Sequence, residues 1–159
     1  MIIFESRKTI HVTNAGHSFV ELFGLDFTNT SKQNLDLLEE GILQRKDLHL
    51  YSDNTELPLY FYKPEAYFHP SHIKDVAKLL LFLSSKGVCL TLESDSSNLL
   101  NAFGEEVERG NVDKNQFKFS LEVTESSEEP TFVKCKFDNS GLFGSVEGEP
   151  YPISVIRGY

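Results

Sequence analysis

The hydrophobic period of this chain changes near Gly110, and that change limits its possible folds more than any other feature. Before it, apolar residues recur at helical spacing in three stretches. After it, Phe117, Phe119, Leu121 and Val123 alternate with Lys118, Ser120, Glu122 and Thr124. Val133, Cys135 and Phe137 likewise alternate with Lys134 and Lys136, placing those lysines on the opposite strand face from Cys135. One face of a helix recurs every three to four residues, whereas a strand changes face at every residue. Clean alternation is the mark of antiparallel strands with one wet face. With helices in the middle and strands at both ends, the expectation is α+β. It is a single domain with a mostly antiparallel sheet, three helices mid-chain, a C-terminal β-meander and a possible subdomain seam near residue 110.

The helices carry their own punctuation. Over 31–45, Thr30 or Ser31 supplies a cap and Leu35, Leu38, Ile42 and Leu43 form the apolar stripe, with Gly41 the weak point. The second begins at Pro70 or Ser71 and ends at Gly87, with Ile73, Val76, Ala77, Leu80 and Leu83 on one face. The third is capped by Ser96 or Ser97 and runs to Arg109, with Leu99, Leu100, Phe103 and Val107 inward and Glu105, Glu106 and Glu108 outward. Residues 1–13 read as an early strand or hairpin, and 17–25 fit either a short helix or a buried strand. Residues 48–51 and 57–62 read as a hairpin around the turn-forming 52–56. Residues 88–93, 142–146 and 153–156 read as further strands.

Charge narrows the partners. The 159 residues include 24 acidic and 15 basic side chains, a net charge of -9. Residues 81–159 alone hold 13 acids and 7 bases. A nucleic-acid binder needs a basic patch to neutralise phosphates, so that class is not expected. No apolar run approaches the length of a membrane span, and the opening residues lack the charged and apolar regions of a secretory leader. A cytoplasmic protein with reduced Cys89 and Cys135 is expected.

Catalytic motifs are missing from the pattern. There is no phosphate-cradling glycine loop and no nucleophile elbow. His69 and His72 have suggestive spacing, but Pro70 puts His69 at or before the helix start, and no third ligand stands nearby in sequence. Neither a metal nor a cofactor is expected. Glu93 and Asp95 are the best-placed carboxylates, because they lie where a strand hands over to a helix.

Two surface features remain. Tyr60, Tyr62 and Tyr67 crowd one strand and its exit, and tyrosine is favoured at interfaces for its contact area and polar tip. Glu105, Glu106, Glu108 and Asp113 form an acidic group able to steer a basic partner. The first functional expectation is therefore a non-enzymatic protein-binding module, most concretely an inhibitor or immunity protein that neutralises a basic, toxin-like protein such as a nuclease. The alternatives are a structural or assembly component, as in a phage particle or homo-oligomer, and a small enzyme with a site around His69, His72, Glu93 and Asp95.

Overall fold

The computed structural model describes residues 2–6, 17–52, 59–94, 96–123 and 131–145, with side chains described outside 5–6, 120–135 and 143–145. Its elements are β1 (Ile2–Ser6), β2 (His17–Ser18), α1 (Phe19–Phe23), α2 (Ser31–Gln44), β3 (Leu59–Tyr62), α3 (Ile73–Ser85), β4 (Leu90–Glu93), α4 (Ser97–Glu108), β5 (Phe117–Val123), β6 (Thr131–Phe137) and β7 (Phe143–Ser145). The strands form one sheet in the order β2-β3-β4-β1-β5-β6-β7.

This topology corrects the expected fold class. The sheet is not mostly antiparallel: β2, β3, β4, β1 and β5 are all parallel, and α-helices carry the chain from β2 to β3, from β3 to β4 and from β4 to β5. Nor do the last strands form a separate C-terminal meander. β5 pairs in parallel with β1, at Ile3↔Lys118 and Phe4↔Phe119, so the antiparallel partners β6 and β7 extend the edge of the parallel sheet. The expected hairpin over 48–62 is also absent. Leu48–Tyr51 is a single 3-10 turn, and β3 pairs in parallel with both β2 and β4. The sequence there, Leu-His-Leu-Tyr, alternates in polarity, and four residues are too few to separate a turn of helix from a strand. Residues 153–156 and the turn at 53–56 lie outside the described residues.

Local chemistry explains the helices. Thr30 and Gln33 form a reciprocal capping box at the start of α2, satisfying two donors that a helix end leaves unpaired. The side chain of Ser96 accepts from the Leu99 N–H at the start of α4. Pro70 opens a 3-10 turn that leads into α3. Gly41 is no defect in α2, because the Phe23 ring occupies the space its Cβ would fill, with Cε1 3.1 Å from that position. In the 17–25 segment the short-helix alternative holds, as α1, and the strand that precedes it is two exposed residues rather than a buried strand.

Period two along the strands sets the two faces of the sheet. Ile2, Phe4, Leu59, Phe61, Leu90, Leu92, Phe117 and Phe119 are buried, and the helices lie on their side. Phe19 of α1 stacks on Phe61 at 4.3 Å, and Phe103 of α4 packs on Phe117 at 5.3 Å. α3 packs between α2 and α4, which completes the layer. No helix among the described residues is long and apolar enough to cross a membrane.

Candidate functional site

In an open parallel sheet, ligand-contacting groups collect where the strands end and the chain turns over the top. β3 and β4 end side by side at Tyr62 and Glu93. Beyond β3 the backbone N–H of Lys63 donates to the Glu93 carbonyl at 2.7 Å, and Lys63 adopts a left-handed conformation (φ 53°) that costs a non-glycine residue about 1 kcal/mol. Beyond β4 the buried Ser94 hydroxyl donates to Glu65 Oε2 at 2.6 Å and accepts the Ser96 N–H at 3.0 Å. Glu65, Ser94 and Ser96 thus fasten the two strand exits together. Beside them lies a cavity of about 250 Å³, lined by Glu65, Phe68, Pro70, Ile73, Ser96, Ser97 and Asn98.

The sequence candidates scatter around this centre. Tyr60 and Glu93, drawn from different functional expectations, meet: the tyrosine hydroxyl donates to Glu93 Oε2, and Glu93 is 5% exposed. The histidines do not join them. His72 Nδ1 pairs with the Ser31 hydroxyl at 2.6 Å, which holds the start of α3 against α2, and His69 Nδ1 pairs with Ser71 Oγ at 2.9 Å within its own turn. Asp95 lies outside the described residues. Among the described residues, no group of three His, Cys, Asp or Glu side chains could hold a metal ion.

The acidic group on α4 is smaller than its sequence suggests. Glu106 does not share a solvated face with Glu105 and Glu108. It is 6% exposed and accepts from Asn111 Nδ2 at 2.6 Å and Arg109 Nη1 at 3.3 Å, which ties down the helix end. Glu105 pairs with Lys74 of α3 at 3.6 Å. Glu108 is exposed, and the exposed Asp113 caps a 3-10 turn by accepting the Asn115 N–H at 2.8 Å. Tyr67 packs half-buried against the core, 6.0 Å from the Phe61 ring.

The tyrosines of β3 belong to a larger surface. Strand pairing aligns Tyr60↔Thr91, Thr91↔Ile3 and Ile3↔Lys118. One step back from Phe119↔Cys135, Lys118 stands opposite Lys136, which in turn pairs with Gly144. These residues form one row across the face that points away from the helices. Tyr60, Thr91 and Ile3 are half-buried, Lys118 and Lys136 are exposed, and Tyr62 beside the row is 47% exposed. Sequence reasoning did not single out Lys118, Lys136, Glu65 or Ser94. The alternation of Lys134 and Lys136 around Cys135 was the available signal for the lysines, but it fixed a face without showing which neighbours share it.

Comparison with family models, with curated proteins and with solved structures gives no match in any of the three.

Proposed function

We propose that the chain is a non-catalytic protein-binding module of the cytoplasm, and that it docks its partner on the face of the sheet that carries no helix among the described residues. The observation that carries this reading is Tyr62, 47% exposed next to Tyr60 and Thr91 on that face. Parallel sheets are normally covered by a layer on each side, because crossover helices bury both faces. Here the four helices cover one side, and the outward row is half-buried to exposed. A partner chain can supply the second layer. Tyrosine suits that role, since its ring contributes contact area at little cost in rotamer entropy.

The inhibitor version of this reading places a basic partner against α4. With Glu106 buried and Glu105 paired to Lys74, its exposed acids there are Glu108 and Asp113. The Tyr60–Tyr62 face is the stronger half of the proposal.

Photo-crosslinking tests it. A benzoylphenylalanine placed at Tyr62 in the native host is expected to give a covalent adduct with a different polypeptide, and one placed at the exposed Lys78 of α3 is not. A self-adduct at twice the 18.1 kDa chain mass would instead indicate an assembly component. No adduct at Tyr62, or equal adducts at both positions, overturns the proposal.

A further inference from the structure

Resting on that reading of the outward face, we infer that the partner is a protein presenting an acidic segment to Lys118 and Lys136. The two lysines occupy opposed positions one step beyond the Phe119↔Cys135 pair of the antiparallel β5–β6 ladder, on the same face of the sheet. Directly opposed residues stand about 5 Å apart at Cβ, and like charges in that position oppose the pairing. The chain carries 24 acids against 15 bases, yet no described carboxylate lies within ion-pair distance of either lysine. A carboxylate between them relieves the repulsion. On one side Lys136 is flanked by Gly144, which has no side chain to block approach, and on the other Lys118 is flanked by Ile3, an apolar step toward Tyr60.

The row therefore reads as a track, with lysines at one end, Ile3 and Thr91 in the middle, and tyrosines at the other end. Lys136 lies four strands from Tyr60, roughly 19 Å. That span suits a segment with carboxylates at one end and apolar side chains at the other. The chain's net charge of -9 does not cancel this local preference. Exposed charges are screened over about 8 Å at physiological salt, so a docked carboxylate responds chiefly to the two lysines it touches. Nucleic acid is the poorer match, because two lysines on a strongly acidic chain neutralise few phosphates.

The test is an NMR titration of the full chain with a short polyglutamate peptide, a polylysine peptide and single-stranded oligothymidine. Polyglutamate is expected to shift the amides of Lys118, Lys136 and Gly144, and its binding should weaken about tenfold in Lys118→Glu/Lys136→Glu, with a smaller loss in Lys118→Gln/Lys136→Gln. Both variants change exposed side chains, and their unchanged core resonances will report an intact fold. Polyglutamate binding that ignores the lysine variants overturns the inference, as does oligothymidine binding at least as tightly at the same amides. If polyglutamate fails while Tyr62 still crosslinks to another protein, the docking face stands and only the acidic partner is wrong.

Discussion

The backbone packs closely between Gly104, inside α4, and Gly141, in the turn between β6 and β7. A Cβ on Gly104 would run into the Gly141 carbonyl oxygen and lie 3.3 Å from the Phe137 ring. A Cβ on Gly141 would collide with the Gly104 carbonyl. Backbone atoms yield little, so Gly104→Ala meets an overpacking cost of about 1–3 kcal/mol. Against it stands the helix-propensity gain of alanine over glycine, about 1 kcal/mol. The net expectation is a loss of about 1–2 kcal/mol. Gly141→Ala has no such credit, because Gly141 holds φ 77°, where a side chain adds about 1 kcal/mol of strain. Its expected loss is about 3 kcal/mol. Gly110 is a matched control: it has the same φ of 77°, and its Cβ would meet nothing within 4 Å. Urea denaturation followed by circular dichroism measures all three. The difference between Gly141→Ala and Gly110→Ala isolates the steric term. If Gly104→Ala is neutral or stabilising, the propensity gain has won and the β6–β7 turn does not rest on α4.

Other consequences follow from single residues. Asn34 is fully buried and donates to the carbonyls of Asp26 (2.8 Å) and Tyr67 (3.0 Å) while accepting from the Asp26 N–H (3.1 Å) and Asn29 (3.2 Å). Asn34→Ala should cost about 2–3 kcal/mol in urea midpoint analysis, and Asn34→Asp should be worse at neutral pH than in acid, since its carboxylate would face two carbonyls. The Ser140 hydroxyl and the Leu142 N–H hold the Asp138 carboxyl below its ordinary range, and Arg45 does the same for Asp47. Depressed carboxyl pKa values add stability that is complete above about pH 4 and is lost as pH falls through the folded-state values. Acid titration of the urea midpoint should show that loss, with a shallower slope in Asp138→Asn. Ser94→Ala removes the fastening between the β3 and β4 exits and should cost about 1–2 kcal/mol. A neutral Ser94→Ala would mean the two exits are held by other contacts.

The helices were legible because their signals are local. Thr30 and Gln33 box the start of α2, Ser96 caps α4, and the inward stripe of α4 is where its apolar spacing placed it. Strand faces were legible for the same reason, since alternation fixes which side each residue takes. Strand direction was not, and the cause is physical. A parallel strand with helices on both faces reads as a continuous apolar run, whereas Leu59-Tyr60-Phe61-Tyr62 and Phe117-Lys118-Phe119 alternate because the described helices pack on only one of their faces. The polar residues on the face away from the helices therefore made parallel strands look antiparallel. The site was legible in pieces. Tyr60 and Glu93 were each singled out, but their contact depends on the register of β3 against β4, 33 residues apart in sequence. Glu106 was misplaced because its hydrogen-bond partners, Arg109 and Asn111, lie beyond the last residue of the helix, where its spacing gives no signal.

The central claim is that the described helices cover one face of the sheet and that Tyr62 and Lys118, on the other, stand open to a partner. Single cysteines introduced at Tyr62, Phe61, Lys118 and Phe119, in a chain whose Cys89 and Cys135 are replaced by serine, test it most directly. The account predicts rapid thiol labelling at the outward positions 62 and 118, and strong protection at their inward neighbours 61 and 119. Protection at 62 and 118 equal to that at 61 and 119 would contradict it, because the outward face would then already be covered.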